Sequence, residues 1–306
     1  AEALSRRYRA EVRDGRFHLD GDLAALAYLA TRLPATYAAI TASLSAAAEM
    51  RPDFAPRTMM DAGAGPGSAL WAAAGVWPSV AEALLIEGSG AIRSWGRKLA
   101  ARAPVARIDW MDSDLGGGAA DSWDRAAPRD LVTCAYVLGE LAPAAGAALV
   151  DRLWSLTADM LVIVEPGTPA GWSRILAARD RLIAAGAYLL APCPHARACP
   201  LQPPDWCHFA RRVARSRLHR QAKYAEVPWE DEKFIYLATS RRPGAKASAR
   251  VIAPPRAGSG RITLKLCQPD ATMAERQFTR RDGAAYKAAQ RLAWGDQTPA
   301  QAPASD

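Results

Sequence analysis

The chain has 306 residues, half of them hydrophobic, and a formal net charge of +8 from 39 Lys and Arg against 31 Asp and Glu. This length suggests one large domain with appendages, or two small ones. No apolar run reaches the roughly 18–20 residues needed to cross a bilayer, and no secretory signal pattern opens the chain, so no membrane association is expected. A basic balance favours an anionic partner such as nucleic acid, although ordinary surface charge gives the same total.

Residues 1–57 read as an N-terminal helical region, with apolar residues at helical spacing and a break at Pro34. From Thr58 the pattern changes. TMMDAG, ALLIEGS, ARIDWM, DLVTCAYVLGEL and DMLVIVEPG read as strands, and SALWAAAGVW, AIRSWGRKLAARA, AAGAALVDRLWSLT and GWSRILAARDRLIAAG as the helices between them. Alternation of this kind predicts an α/β core over 58–190 with a doubly wound parallel sheet. Near-continuous apolar strands fit a sheet covered on both faces.

After Gly186 the alternation fails. Residues 191–240 are expected to hold a Cys-rich loop, a basic segment and the closing strands of the core. WCHFARRV and KFIYLATS are expected to form an antiparallel pair there. Residues 241–306 read as a Pro/Gly/Ala-rich linker to about 258, then a small C-terminal β segment around RITLKLCQPD, with the last ten or so residues disordered.

In DAGAGPG, glycines stand at alternate positions immediately after a strand: Gly63, Gly65 and Gly67, preceded by Asp61. Glycine permits positive φ and close backbone approach to a ligand, and the following helix points its N-terminal amides at it. The order matches the E/DxGxGxG turn of methyltransferases that bind S-adenosylmethionine, not the dinucleotide GxGxxG. A glycine-rich turn alone is a weak signal. Glu87, 26 residues after Asp61 at the next strand end, strengthens it, because a carboxylate there accepts hydrogen bonds from ribose hydroxyls. Asp109, Trp110 and Asp112 lie where the adenine edge is read. Tyr136 and Leu138 flank the expected methionine end, or belong to the core. Cys134 reads as a buried apolar residue. No catalytic group is evident: CAYVLGEL carries neither the Asn/Asp-Pro-Pro-aromatic motif of amino-group methylation nor a Pro-Cys nucleophile. Methyl transfer relies mainly on in-line positioning, so activity is not excluded.

Of five cysteines, Cys193, Cys199 and Cys207 cluster in a loop stiffened by Pro192, Pro194, Pro200, Pro203 and Pro204. A closed site needs a fourth ligand. Cys267 is the natural candidate, with His195 and His208 as competitors. An all-cysteine site suits Zn²⁺ or a [4Fe–4S] cluster, and the absence of CxxC pairs tilts towards iron–sulfur. Three buried, metal-free cysteines are the plain alternative. Arg211, Arg212, Arg215, Arg217, Arg220 and Lys223 follow directly, with no acidic residue between His208 and Lys223. Arginine forks bind phosphate, so the run is expected to bind RNA, with Arg276, Arg280, Arg281 and Lys287 adding charge later. A solvated amphipathic face is the alternative.

The succession PCPHARACPL, WCHFARRVARSRLHRQAK, EDEKFIYLA and LKLC resembles the methyltransferase-like proteins that assemble the small subunit of the mitochondrial ribosome, and their bacterial relatives. The resemblance implies a class I S-adenosylmethionine-dependent methyltransferase fold with a terminal antiparallel pair. It also implies a structural [4Fe–4S] cluster on Cys193, Cys199, Cys207 and Cys267, and binding to small-subunit rRNA. It leaves catalysis in doubt. The expected protein is a ribosome assembly factor, monomeric off the ribosome. An active rRNA methyltransferase is the first alternative, and a small-molecule or protein methyltransferase with structural zinc the second. The composition leans towards bacterial cytoplasm, with the mitochondrial matrix as the alternative if a presequence was removed.

Overall fold

A computed structural model describes residues 21–116, 123, 126–223 and 226–299. Two helices come first, α1 (Asp22–Thr31) and α2 (Leu33–Met50), with Pro34 in the first turn of α2, where its missing N–H costs no helical bond. The expected helices before residue 21 lie outside the described residues. No single helix among the described residues is long and apolar enough to span a membrane. The α1–α2 pair passes that test only when combined, and it bends by 56°. Buried Ala39, Ile40 and Leu44 seat α2 on the core.

The sheet core then alternates as the hydrophobic pattern requires: β1 (Thr58–Ala62), α3 (Ser68–Val76), β2 (Glu82–Ile86), α4 (Gly90–Ala100), β3 (Arg107–Met111), β4 (Arg129–Ala135), α5 (Pro143–Ser155), β5 (Thr157–Pro166) and α6 (Pro169–Ala184). β1 to β5 pair in parallel in the order β3-β2-β1-β4-β5. The strand order reverses between β1 and β4, which makes the C-terminal ends of those strands the expected ligand crevice. Met59, Met60, Leu131, Leu161 and Ile163 are fully enclosed, each contributing roughly 1.5–3 kcal/mol of burial.

The sheet closes with a single long strand, β8 (Trp229–Ser240), antiparallel to β5. Its other edge is shared by two short strands. The start of β8 pairs with β7 (Phe209–Ala214), and its end pairs with β6 (Tyr188–Ala191). The antiparallel pair expected from WCHFARRV and KFIYLATS is therefore present. β6 is an addition, lying after Gly186 where the sequence alternation fails. Parallel strands followed by this antiparallel closure constitute the class I S-adenosylmethionine-dependent methyltransferase fold.

The C-terminal segment is more ordered than its composition suggests. β9 (Arg250–Val251), β10 (Arg256–Gly258), β11 (Arg261–Cys267) and β12 (Met273–Thr279) form an antiparallel sheet, followed by α8 (Ala284–Arg291). Val251, Leu264, Leu266 and Phe278 make its own small core. Period-two alternation puts Lys265 and Cys267 on the opposite face from Leu264 and Leu266. The supposed linker is docked: Ala245 N–H donates to the Met50 carbonyl at 2.8 Å. Within the tail expected to be disordered, Thr298 N–H donates to the Ala249 carbonyl. Residues 300–306 lie outside the described residues.

Candidate functional site

At the end of β1 the turn takes the conformation its glycines allow. Gly63, Gly65 and Gly67 have φ of 75°, 53° and 89°. The Gly63 and Ala64 amides both donate to the Ile86 carbonyl at 2.9 Å, tying the turn to β2. A Cβ on Gly63 would lie 2.3 Å from Val137 Cγ2, whereas one on Gly65 would meet nothing within 4 Å. Gly65 thus faces open space at the crevice, and Gly63 packs against the segment after β4. Gly63→Ala is expected to destabilise the fold by about 1–3 kcal/mol through overpacking alone, with further strain from its positive φ. Chemical denaturation of the two proteins measures the difference.

Asp61 is buried beneath this turn and accepts from Thr133 Oγ1 at 2.7 Å. Burial pushes its carboxyl up to about 7, against the Thr133 bond. Glu87 reaches back over the turn. One carboxylate oxygen accepts from Gly65 N–H at 2.7 Å and the other from Ser89 N–H at 2.8 Å. Burial raises its carboxyl too. Arg93 bridges this lip, donating to the Glu87 carbonyl and to Asp112 Oδ2. Asp61, the glycines, Glu87 and Asp112 are therefore gathered along one rim.

The remaining rim residues divide. Trp110 packs beneath α4, where a Cβ on Gly96 would come within 2.4 Å of its ring and 3.1 Å of the Gly65 carbonyl. Asp109 points the other way, to solvent, paired with Arg107 at 2.8 Å. Tyr136 follows β4 directly at φ 62°, a left-handed conformation uncommon for a non-glycine residue. Its hydroxyl donates to Glu232 Oε1 at 3.1 Å, and Arg32 grips both Glu232 oxygens at 2.8 and 3.0 Å. The next turn is pinned by Glu165, fully buried, which accepts from Leu138 N–H and Arg174 Nε. Arg32, Glu165 and Glu232 were missed by sequence reasoning. Glu165 had one legible signal, a carboxylate ending an otherwise apolar strand. Cys134 is buried inside β4, which pushes its thiol well up.

A second site lies across the sheet's antiparallel edge. Cys193, Cys199 and Cys207 from the loop between β6 and β7, and Cys267 from the end of β11, line one cavity with Arg179 and Arg250. Burial raises the Cys193 thiol and pushes Cys267 up to about 12. Without a cation these thiols stay protonated, and a bound metal would displace their protons. Of the two competing histidines, His195 is in the cavity wall, with Nε2 3.6 Å from Cys267 Sγ. His208 instead stacks on Trp206 and meets Trp294 edge-on. Among the described residues no three His, Cys, Asp or Glu side chains gather closely enough to hold a single metal ion.

The basic segment folds as β7 and a short helix, α7 (Arg217–Lys223). The run itself holds no carboxylate, but the fold brings those of β8 beside it. Antiparallel register sets Arg211 opposite Glu232 and Arg212 opposite Asp231. Arg212 pairs with Asp231 at 2.8 Å, and Glu230 takes both Arg215 at 3.1 Å and Lys223 at 2.9 Å. Arg217 and Arg220 are exposed on α7.

Comparison with known proteins places these features in context. Human "Ribosome assembly protein METTL17, mitochondrial" is 29% identical over 304 residues, covering 92% of this chain and 63% of that protein. "Rsm22-cox11 tandem protein 2, mitochondrial" of Schizosaccharomyces pombe is 27% identical over 193 residues, covering 48% of this chain and 26% of that protein. The chain thus spans less than two thirds of the length of these curated relatives. Among solved structures, magnesium protoporphyrin IX methyltransferase from Synechocystis PCC 6803 with bound SAH aligns at a TM-score of 0.44 and 14% identity, covering 78% of this chain and 94% of that one. An O-methyltransferase family protein from Burkholderia thailandensis aligns at 0.46 and 12%, covering 80% and 69%. The profile described as "Mitochondrial small ribosomal subunit Rsm22" matches residues 22–299, and the chain belongs to that family.

Proposed function

We propose that this protein is an RNA-binding assembly factor of the small ribosomal subunit, with an S-adenosylmethionine-binding domain and a structural [4Fe–4S] cluster on Cys193, Cys199, Cys207 and Cys267. The observation that carries this reading is the convergence of four cysteines from two distant segments on one cavity, directly before the basic strand β7. The cluster's role would be to cross-link, since four thiolates leave no open position for substrate chemistry.

On the cofactor side, Glu87 is placed to exchange its Gly65 and Ser89 bonds for ribose hydroxyls. Open space above Gly65 supports close approach of the ligand. At the end of β4 the Tyr136 hydroxyl is committed to Glu232, itself gripped by Arg32 from α1–α2. Side chains of the protein thus occupy the lip where a methyl acceptor would enter, which favours binding without transfer over the active-enzyme reading. Labelled S-adenosylmethionine mixed with immature small subunits should be bound by the protein without methylating the RNA. Methylated rRNA would establish the enzyme instead.

For RNA, the carboxylates of β8 narrow the candidates. Arg217 and Arg220 are the phosphate contacts to expect, with Arg211 beside them, whereas Arg212, Arg215 and Lys223 hold the hairpin together. Replacing Arg217 and Arg220 with Ala should flatten the log–log salt dependence of RNA binding by about 1.4–1.8, two contacts' worth. Arg212→Ala should change it far less. Equal slopes for all three proteins would remove α7 from the interface. The relatives are named as mitochondrial. For this chain, bacterial cytoplasm or mitochondrial matrix remains the proposed compartment.

A further inference from the structure

The cysteine cavity contains two cations whose presence the fold alone does not explain. Arg250 is 2% exposed and Arg179 1% exposed. Burying a guanidinium costs several kcal/mol unless an anion compensates it. Arg250 donates only to neutral carbonyls, from Nε to Pro192 at 3.0 Å and from Nη1 to Gly295 at 2.9 Å, and has no ion pair among the described residues. Arg179 donates to the carbonyls of His195 and Arg197 at 2.9 and 2.6 Å. Its one carboxylate, Asp180 at 3.0 Å, is 72% exposed and so screened, and its Nε has no partner.

Both side chains line the same cavity as the four thiols. Register places Arg250 on β9 directly opposite Cys267 on β11. Arg179 lies on α6 and holds the carbonyls on either side of Ala196, between Cys193 and Cys199.

We propose that Arg179 and Arg250 are the counter-cations of a doubly negative tetrathiolate centre on these cysteines. This rests on the metal-site reading above and assigns residues to it. Four thiolates around either Zn²⁺ or an oxidised [4Fe–4S]²⁺ core carry a net charge of minus two, which two guanidiniums neutralise. A one-electron reduction of the cluster adds a third negative charge. The arginines then stabilise the reduced state, because net charge and hydrogen bonding set cluster potential. They are positioning residues.

The test uses the full chain, reconstituted anaerobically with iron and sulfide, as wild type, Arg250→Gln, Arg250→Lys and Arg179→Gln. Iron and sulfide content of the wild type checks the underlying reading separately. With a cluster present, Arg250→Gln should lower the midpoint potential by at least tenfold in the redox equilibrium, about 59 mV for one electron. Arg250→Lys should restore most of it. If the wild type takes up only zinc, the cluster reading fails. The counter-charge inference is then read as a tenfold or greater loss of zinc to a competing chelator in Arg250→Gln, with Arg250→Lys again intermediate. Melting with and without the bound centre separates charge pairing from simple packing: the drop caused by each Gln variant should be larger in the loaded protein. Unchanged potential or zinc retention, or equal drops in both states, overturns the proposal. Arg179→Gln supplies the same comparison if Arg250→Gln does not fold.

Discussion

Cys267→Ser is expected to loosen the whole C-terminal unit, making residues 241–258 at least tenfold more sensitive to limited proteolysis. The four-stranded sheet has a core separate from that of the main domain. Polar contacts tie it to the main domain: Lys265 to Asp205, Arg197 to the Asp270 carbonyl, and, at the cysteine cavity, Arg250 to the Pro192 carbonyl. In the proposed centre Cys267 is the ligand from this sheet, and the other three come from the loop before β7. A bound centre therefore adds a tether between two units that also share apolar packing, with Ile252, Met273 and Trp294 against the main core. Binding free energy at such a site is folding free energy, about 10–16 kcal/mol for structural zinc in small domains. Chelation of the wild type should reproduce the Cys267→Ser digestion pattern. Indifference of cleavage to both treatments would mean that the sheet is held without the centre.

Asp61 should contribute stability that is lost as pH rises from about 4 to 7, and Asp61→Asn should remove that contribution. Asp61 is buried, and its carboxyl is raised to about 7 from an ordinary 3.8. The folded state therefore binds more protons than the unfolded state between those values. This contribution to stability then decreases with pH through that window and levels off above it. A shift of this size corresponds to up to about 4 kcal/mol. Glu87, also raised by burial, acts in the same direction. Burial lowers His195, His208 and His219, which act in the opposite sense in both proteins, so urea unfolding at pH 5 and pH 8 is read as a difference: relative to Asp61→Asn, wild type should lose stability towards pH 8. A difference between wild type and Asp61→Asn that shifts in favour of wild type towards pH 8 would contradict the burial argument.

The parts legible in the sequence were those fixed locally. Gly63, Gly65 and Gly67 announce a positive-φ turn because no other residue takes that backbone cheaply. Glu87 was legible because one strand–helix–strand unit fixes its distance from Asp61. Near-continuous apolar strands gave the parallel sheet. Residues whose role depends on register between distant strands were not legible. The β7 arginines looked unpaired until β8 brought Glu230 and Asp231 beside them. Arg32 and Glu232 meet across 200 residues. Asp109 and Trp110 are adjacent in sequence, yet strand alternation sends one to solvent and the other beneath α4. β9 and β10 are too short, and too rich in Gly and Pro at their flanks, to leave a periodic signal. Arg179 and Arg250 carry none either, since only the folded cavity shows that they are enclosed.

Iron, sulfide and zinc analysis of anaerobically purified protein, with its absorption spectrum, tests the central claim most directly. The expected result is brown protein with broad absorbance near roughly 400 nm, about four irons and about four sulfides per chain, all lost when Cys193, Cys199, Cys207 or Cys267 is replaced by Ser. Colourless protein carrying stoichiometric zinc, or no metal at all, would contradict it.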